Sequence, residues 1–455
     1  MTTPQATTPP STTSQAATLL FTPRRAGVAA SGGTLDVLVR VQAPDLPQGS
    51  TFEGAPKRLA LVVDRSGSMG GEPLAEALHC VAHIAQRLGP QDSVAVVTYD
   101  HTVQVLWPLQ SATRNRDQLL ARLNEVTSGG NTDLHSGWFQ GAQQVDPYHD
   151  ISEQRASALS RVILLSDGQA NHGVVRVEQI AQQCADMLGR GVSTTTVGLG
   201  RNFNEELMIS MARAGGGQQY YGQTAADLFD SFDEELALLQ ALYWRNLRIK
   251  LMPAAGVIVE PLGGLVQEPD GTLRMSDLAW GAEAWVAVRL HLGLASTGAT
   301  RDLMAASLSA TDSDGQPASA HGGVLQLPVL DAQALQALPE DETVARRLDE
   351  IAFAAESRTL RALAQSGDSR ALREHIARMQ ERFGHHPWLA EKLRVQSELA
   401  ERDRAMFGKE VLYSANRMAL RQVSKREAAF TADETDTDIP AFLRRKSSDG
   451  KGKQR

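Results

Sequence analysis

Several features that mark particular protein classes are scarce in this sequence. Only two of the 455 residues are cysteine, Cys80 and Cys184, and their spacing is not that of a metal-binding pair. We therefore expect two buried, reduced thiols and a reducing compartment. No stretch of 18 apolar residues occurs, so the sequence predicts no membrane span. Residues 1–6 carry neither the positive charge nor the apolar run of a secretory signal, and we expect a cytoplasmic protein.

The motifs of several enzyme classes are also missing. No serine lies in a GxSxG pattern, and no GxxxxGK[ST] loop occurs, so nothing predicts a serine hydrolase or an ATPase. His79 and His83 stand one helical turn apart, but without HExxH or a third ligand we interpret them as helix-surface or core residues. The net charge of −8 argues against a general nucleic-acid binder.

One stretch near residue 60 combines an apolar run with oxygen-bearing side chains. Residues 59–63 are continuously apolar, which indicates a strand buried on both faces. Asp64, Ser66 and Ser68 follow at intervals of two residues, and a helix is predicted past Pro73. In open parallel sheets, ligands bind outside the carboxyl ends of the strands. These three side chains are therefore placed where they could ligate a hard cation.

Two later positions complete a recognisable pattern. Thr132 lies in a glycine-rich loop at residues 128–133, and Asp167 follows the apolar run at residues 162–165. Asp64-x-Ser66-x-Ser68 together with Thr132 and Asp167 resembles the metal-ion-dependent adhesion site of the von Willebrand factor A domain. The resemblance covers residues 57–240, roughly the length of one domain. The protein resembles the bacterial cytoplasmic members of this family.

The resemblance implies both a ligand set and a mode of action. In the family the two serines and the threonine contact the ion, while the two aspartates often act through water. The expected ion is Mg²⁺, with Mn²⁺ or Ca²⁺ as alternatives, and an open coordination position accepts an Asp or Glu carboxylate from a partner protein. We therefore expect a binding adaptor or assembly subunit and not an enzyme. Members of this family often work with AAA+ ATPases of the MoxR or chelatase kind.

A second hypothesis belongs to a different functional class. A bound metal ion can activate water for hydrolysis when a general base lies beside it. Asp100, Asp133 or His135 could supply that base, because all three lie near the predicted loops in the sequence. The alternative to the adaptor is therefore a metal-assisted hydrolase.

The predicted fold is α/β: a doubly wound, mostly parallel sheet is inserted in a small antiparallel β-sandwich, and an α-helical C-terminal region follows. Strands alternate with helices between residues 59 and 242, whereas residues 34–43, 246–251 and 284–290 alternate as half-buried strands do. The expected divisions are a disordered tail at 1–18, a β segment at 19–56 that pairs with 243–330, a von Willebrand factor A domain at 57–242, a sandwich at 243–330, helices at 331–430 and a disordered charged tail at 431–455.

Overall fold

The computed structural model describes residues 16–46, 54–149, 158–200, 203–222, 224–420 and 422–424. The predicted tail at 431–455 and nearly all of the one at 1–18 lie outside these residues. No helix in the described part combines the length and the apolar character needed to cross a membrane. Cys80 and Cys184 are both buried free cysteines.

The chain begins with strands that belong to the sandwich. They are β1 (Thr18–Pro23), β2 (Val28–Ala29) and β3 (Gly33–Gln42). β1 and β3 pair antiparallel along the whole of β1. The chain then leaves this sheet and builds the α/β domain.

The α/β domain has one six-stranded sheet with helices on both faces. Its strands are β4 (Lys57–Asp64), β5 (Ser93–Tyr99), β6 (Val103–Ser111), β7 (Leu159–Ser166), β8 (Val192–Leu199) and β9 (Gly216–Gly222). Its helices are α1 (Glu72–Arg87), α2 (Arg116–Leu123), α3 (Leu134–Val145), α4 (Val177–Gly189), α5 (Glu205–Ala214) and α6 (Ala225–Gln240). The strand order is β6-β5-β4-β7-β8-β9, with β6 the antiparallel strand. β4 and β7 are central, which explains why their apolar runs are uninterrupted.

After the insertion the chain returns to the sandwich. Its later strands are β10 (Leu242–Pro253), β11 (Val257–Pro261), β12 (Leu273–Arg274), β13 (Leu278–Ala279), β14 (Ala282–Leu292), β15 (Thr300–Asp312), β16 (Pro317–His321) and β17 (Leu325–Leu330). β14 pairs antiparallel with β3 over ten positions, in a sheet of order β1-β3-β14-β11. The facing sheet has the order β12-β10-β15-β17-β2. The N-terminal strand is therefore completed by partners from beyond residue 240.

Five helices and a short strand follow. They are α7 (Ala332–Ala337), α8 (Glu342–Ser366), α9 (Ser369–Phe383), α10 (Pro387–Arg402), α11 (Arg404–Leu420) and β18 (Val423–Ser424). α8 and α11 pack against each other, and β18 adds to β14 of the sandwich. Met406 and Tyr413 of α11 also belong to the core of the α/β domain. The C-terminal helices thus contact both other parts of the molecule.

The predicted fold class is confirmed, with one difference in burial. β3 was expected to be half-buried, but Val37, Leu38 and Val39 are all buried. Leu38 and Ala287 pack against Val344 of α8, so the helical region covers the outer face of this sheet. Alternating hydrophobicity in β3 could not predict that its outer face is buried, because the helix that covers it, α8, lies about 300 positions further along the chain.

Candidate metal centre

The first loop of the site begins where β4 ends. Asp64 is fully buried, and its Oδ1 accepts a hydrogen bond of 2.8 Å from the backbone N–H of Ser66. This bond turns the chain sharply after the strand, as short polar side chains do in Asx turns. The hydroxyls of Ser66 and Ser68 come to lie 3.2 Å apart. Two of the three predicted hydroxyl ligands are therefore side by side.

The second loop, which is rich in glycine, is hydrogen-bonded to the first. Gly67 N–H donates to the carbonyl of Gly130 at 3.1 Å, and Gly129 N–H donates to the carbonyl of Arg65 at 2.8 Å. Gly130 has φ +74°, and a Cβ there would lie 2.2 Å from Nδ1 of His101. Only glycine fits such a left-handed and crowded position without strain. The loop therefore depends on this glycine for its close approach.

Thr132 is held in place by the third loop, which follows β7 and contains Asp167 and Asn171. It is buried, and its backbone N–H donates to Oδ1 of Asn171 at 2.8 Å. In return its carbonyl accepts hydrogen bonds from the N–H groups of Asn171 and His172, at 3.1 and 3.2 Å. Asn171 lies four residues after Asp167, so the segment that carries the predicted aspartate also orients the predicted threonine.

Asp167 follows β7 and is connected to Asp64 through its neighbour. Val63 and Leu165 are partners in the parallel pairing of β4 and β7, which brings the ends of both strands together. Ser166 donates its hydroxyl to Oδ2 of Asp64 at 2.6 Å. Asp167 itself is buried, and its Oδ1 accepts a hydrogen bond of 3.1 Å from the N–H of Gln169. The five predicted residues therefore lie on three loops that are hydrogen-bonded to one another at one edge of the sheet.

The electrostatics of this edge suit a divalent cation. Burial raises the pKa of the Asp64 carboxyl; hydrogen bonds from Ser166 and Ser66 oppose the shift, and the negative charge of Asp167 adds to it. Among the described residues, no Lys or Arg forms an ion pair with Asp64 or Asp167. Two buried carboxyls without a cation are unfavourable, because isolated buried charges normally require a partner. A bound cation would remove that penalty.

The donor chemistry narrows the kind of metal. In the described ranges, no group of three or more His, Cys, Asp and Glu residues could hold a metal ion. The candidate site is instead built from three hydroxyls and two carboxylates, all of them oxygen donors. Hard cations such as Mg²⁺ favour oxygen ligands, whereas zinc favours nitrogen and sulfur. The residues present fit Mg²⁺.

The three bases considered for a hydrolase have other partners. Asp100 pairs with Arg65 at 2.9 Å and accepts hydrogen bonds from the N–H and hydroxyl of Thr102. Asp133 caps α3 by accepting from the N–H of Ser136 at 3.1 Å. His135 is hydrogen-bonded to Gln183 through Nε2. No contact of these side chains favours the hydrolase.

Several supporting residues were not identified from the sequence. Tyr99 donates its hydroxyl to Oδ2 of Asp64 at 3.2 Å and is the register partner of Asp64 on β5. Ser166 directly precedes Asp167. Both could have been found, since each is the last residue of a strand adjacent to β4. Asn171 offers no such signal, because its role depends on the path of a loop.

The helical region also reaches this edge. The N–H of Asn204 donates to the carbonyl of Asp167 at 2.8 Å. On either side of Asn204, Lys409 of α11 binds the carbonyl of Phe203 at 3.1 Å and the carboxylate of Glu205 at 2.6 Å. Lys409 is buried, so this contact is shielded from solvent. The C-terminal helices therefore hold the loop that supports the backbone of Asp167.

Comparisons with known proteins identify the α/β domain. The family model for the von Willebrand factor type A domain matches residues 59–235. Human inter-alpha-trypsin inhibitor heavy chain H3 is 26% identical over 197 residues, which are 42% of this chain and 22% of that protein. The uncharacterized protein sll0103 of Synechocystis is 24% identical over 217 residues, 47% of this chain and 49% of that protein. The matches thus span less than half the length of either relative.

Two solved structures are similar over most of the chain. One is a von Willebrand factor type A protein from Catenulispora acidiphila, with a TM-score of 0.65 and 16% identity over 84% of this chain and 91% of that one. The other is VWA2 from Sulfolobus acidocaldarius, an ArnB paralog, with a TM-score of 0.58 and 16% identity over 88% and 98%. At this identity the likeness shows the fold alone. Taken with the family match, it establishes that residues 59–235 form a von Willebrand factor type A domain.

Proposed function

We propose that this chain is a Mg²⁺-dependent adaptor or assembly subunit that binds a partner protein through a metal-ion-dependent adhesion site. Ser66, Ser68 and Thr132 would hold the ion through their hydroxyls, and Asp64 and Asp167 would balance its charge. When bound, Mg²⁺ would supply a positive centre with an open position for an Asp or Glu of the partner. Association would then require one correctly placed acidic side chain.

One arrangement carries this proposal. The hydrogen bonds from Gly67 to Gly130 and from Ser166 to Asp64 join the three loops that bear the five side chains. They support a site that is organised before the ion arrives, which reduces the entropic cost of binding it. Mn²⁺ and Ca²⁺ also take oxygen ligands and remain alternatives to Mg²⁺.

The proposed partner class follows from the same site. A partner must present an exposed carboxylate to the metal edge, and the nearby helices offer a second surface. An AAA+ ATPase of the MoxR or chelatase kind in the cytoplasm is the first partner to test, on the family resemblance alone.

We further propose that the chain is not an enzyme. Incubation with phosphoesters and peptides in Mg²⁺ should give no turnover above that of the Asp167→Ala variant.

Metal binding tests the site with a matched pair of variants. Thr132→Val preserves the shape of the side chain but removes its hydroxyl, whereas Thr132→Ser keeps the hydroxyl. Titration calorimetry of the EDTA-stripped protein with Mg²⁺ should show binding for the wild type and Thr132→Ser, and binding weakened by roughly tenfold or more for Thr132→Val. Equal affinities for all three proteins would reject the proposed ligand set.

Partner capture tests the adaptor role. The protein should retain its partner in Mg²⁺ and lose it in EDTA or with Asp64→Ala. The exposed Asp302, which contacts Gln326, gives a control variant, Asp302→Asn, that removes a carboxylate elsewhere. If every captured protein were retained equally with and without metal, the metal-bridged interaction would be wrong.

A further inference from the structure

A separate cleft lies where the α/β domain, the sandwich and the C-terminal helices meet. It is partly open to solvent. Its polar lining comes from the end of α5, from β9, from the loop after β11, and from α8 and α11. The residues that matter are Arg213, Gln219, Gly264, Arg358, Asn416 and Arg417. Asn204, the N-cap of α5, contacts the metal centre, so the cleft adjoins the opposite end of this helix.

The charges around the cleft are unbalanced. Three arginines line it, and none of its described lining residues is acidic. Arg417 has a carboxylate partner, Glu234, at 3.8 Å. Within the described ranges, Arg213 and Arg358 form no salt bridge, although Arg213 donates to the carbonyl of Gly264. The cleft therefore carries two cationic side chains without a compensating acid.

The neighbouring cavity shows that such compensation is normal in this protein. It shares Arg213 with the cleft and is also lined by Arg161 and Arg274. Both of those arginines are matched, Arg161 by Glu235 and Arg274 by Glu268. The absence of an acid beside Arg213 and Arg358 is thus a local feature.

The two uncompensated arginines converge on one point. A Cβ at Gly264 would lie 3.9 Å from Nη2 of Arg213 and 3.9 Å from Nη2 of Arg358. Gly264 has φ +71°, so the chain there requires glycine and leaves this space free of a side chain. Both arginines are exposed residues; partial burial of the Arg213 guanidinium and then the charge of Arg358 lower the pKa of Arg213. An anion between the two would relieve the repulsion.

In each of two amide groups on residues that line the cleft, one atom lacks a hydrogen-bond partner among the described residues. Gln219 is 8% exposed, and its Nε2 donates to the carbonyl of Tyr220 at 2.8 Å, but its Oε1 has no hydrogen-bond partner among the described residues. The Nδ2 atom of Asn416 is also buried without a partner in that part of the chain. Buried polar atoms are normally satisfied, so each such atom requires an explanation. One acceptor and one donor on residues that line the cleft are therefore unsatisfied within the described part of the chain.

We propose that this cleft binds a phosphate group through Arg213 and Arg358, with Asn416 Nδ2 donating to a phosphate oxygen and Gln219 Oε1 accepting from its remaining P–OH. Guanidinium groups match phosphate in geometry and charge. Inorganic phosphate retains a proton at neutral pH, and a phosphate monoester retains one in its monoanionic form, which predominates below its second pKa of about 6; sulfate carries no such proton. The phosphate group belongs either to inorganic phosphate or to a small phosphate monoester.

Calorimetry on the full chain in EDTA separates this cleft from the metal centre. Wild-type protein should bind inorganic phosphate, and Arg213→Gln and Arg358→Gln should each weaken binding by roughly tenfold or more. Arg370→Gln is the matched control, because Arg370 is an exposed arginine on α9 that pairs with Glu374. It should leave the affinity unchanged.

Two further ligands define the chemistry. Sulfate should bind more weakly than phosphate, and Gln219→Met should remove that preference. Glycerol 3-phosphate distinguishes the source: tighter binding than inorganic phosphate identifies a monoester ligand, and weaker binding identifies free phosphate.

Thermal unfolding measurements show whether each variant is folded. Arg358 lies on the exposed side of α8. The melting temperature of Arg358→Gln should therefore lie within a few degrees of the wild-type value, as for an ordinary surface substitution. The proposal is overturned if the wild type does not bind phosphate, or if the folded Arg213→Gln and Arg358→Gln proteins bind it as tightly as the wild type does. Since EDTA is present throughout, neither result depends on the metal site.

Discussion

The two edges of the central sheet use buried charge in opposite ways. At the amino edge, Arg161 pairs with Glu235 of α6 and with Asp277 of the sandwich, so a buried cation is met by one buried and one half-buried acid. At the carboxyl edge, Asp64 and Asp167 are buried with hydrogen bonds but no cation among the described residues. The same strand, β7, carries Arg161 near its start and is followed by Asp167.

This difference separates a structural joint from a binding site. The charges of the amino edge satisfy one another and join two parts of the molecule, so their removal should cost stability. At the carboxyl edge, burial raises the pKa of the Asp64 carboxyl, and the charge of Asp167 adds to this shift. Removing the charge of Asp167 should therefore cost little stability and should abolish metal binding. Each substitution below tests this contrast, in order of decreasing effect on stability.

The largest loss is expected from Arg161→Ala. Arg161 is 3% exposed, and its removal leaves Glu235 buried without its cation, while Asp277 keeps only the nearby charge of Arg245. Breaking a buried ion pair in this way costs about 3–5 kcal/mol. Urea denaturation should show this decrease in the free energy of unfolding, while Arg370→Ala on the exposed surface of α9 should change it by about 0.5 kcal/mol or less. If Arg161→Ala and Arg370→Ala changed the free energy of unfolding equally, the amino edge would not be a structural joint.

A smaller loss is expected from Lys409→Met, which keeps the length of the side chain. It removes the hydrogen bond to the carbonyl of Phe203 and the ion pair with Glu205. Arg361 still pairs with Glu205 at 2.9 Å, so the acid is not left alone, and we expect a loss of about 1–2 kcal/mol. The Mg²⁺ affinity should also decrease, because the loop beside Asp167 loses an anchor. An unchanged affinity would show that the helices only stabilise the fold.

Asp100→Asn should give a loss that depends on pH. Burial alone would raise the pKa of Asp100, but hydrogen bonds from Thr102 and the charges of Arg65 and His101 lower it below the ordinary value. The ionised carboxylate therefore stabilises the folded state above the unfolded pKa of 3.8, and this contribution is lost as the pH falls through the lower folded value. Denaturation at pH 7 should show a deficit of about 1 kcal/mol for the variant. At pH 3 the deficit should be smaller; a constant deficit would exclude an electrostatic origin.

The smallest stability effect is expected from Asp167→Asn. The amide keeps the shape of the carboxylate and can still accept from the N–H of Gln169. Because it also removes a repulsive charge, the metal-free variant should unfold within about 0.5 kcal/mol of the wild type. Mg²⁺ should raise the melting temperature of the wild type and not of the variant. A large destabilisation without metal would mean that Asp167 has a structural role.

The sequence was sufficient for local features and for the fold class. The apolar runs that end at Asp64 and before Asp167 marked two buried parallel strands, and the structure places them side by side. The alternation at residues 34–43 predicted a strand, and its partner from beyond residue 240 is β14. These features depend on residues close together in the chain, or on strands with a strong pattern.

Contacts that depend on distant loops were not accessible in this way. Asn171 supports Thr132, Asn204 supports Asp167, and Lys409 supports the loop around Asn204. Polar residues at such positions look the same in a sequence whether they meet water or a buried carbonyl. The cleft at Arg213 and Arg358 was missed for a related reason, because the residues lie on different parts of the fold.

A crystal of the protein soaked in Mn²⁺, with anomalous diffraction data, tests the central claim most directly. Mn²⁺ can replace Mg²⁺ at oxygen-rich sites and can be located by its anomalous signal. We expect one strong peak among Asp64, Ser66, Ser68, Thr132 and Asp167, with the three hydroxyl oxygens within about 2.0–2.6 Å of it. A fully soaked crystal with no peak at this edge, or with a peak that the three hydroxyls do not reach, would contradict the account.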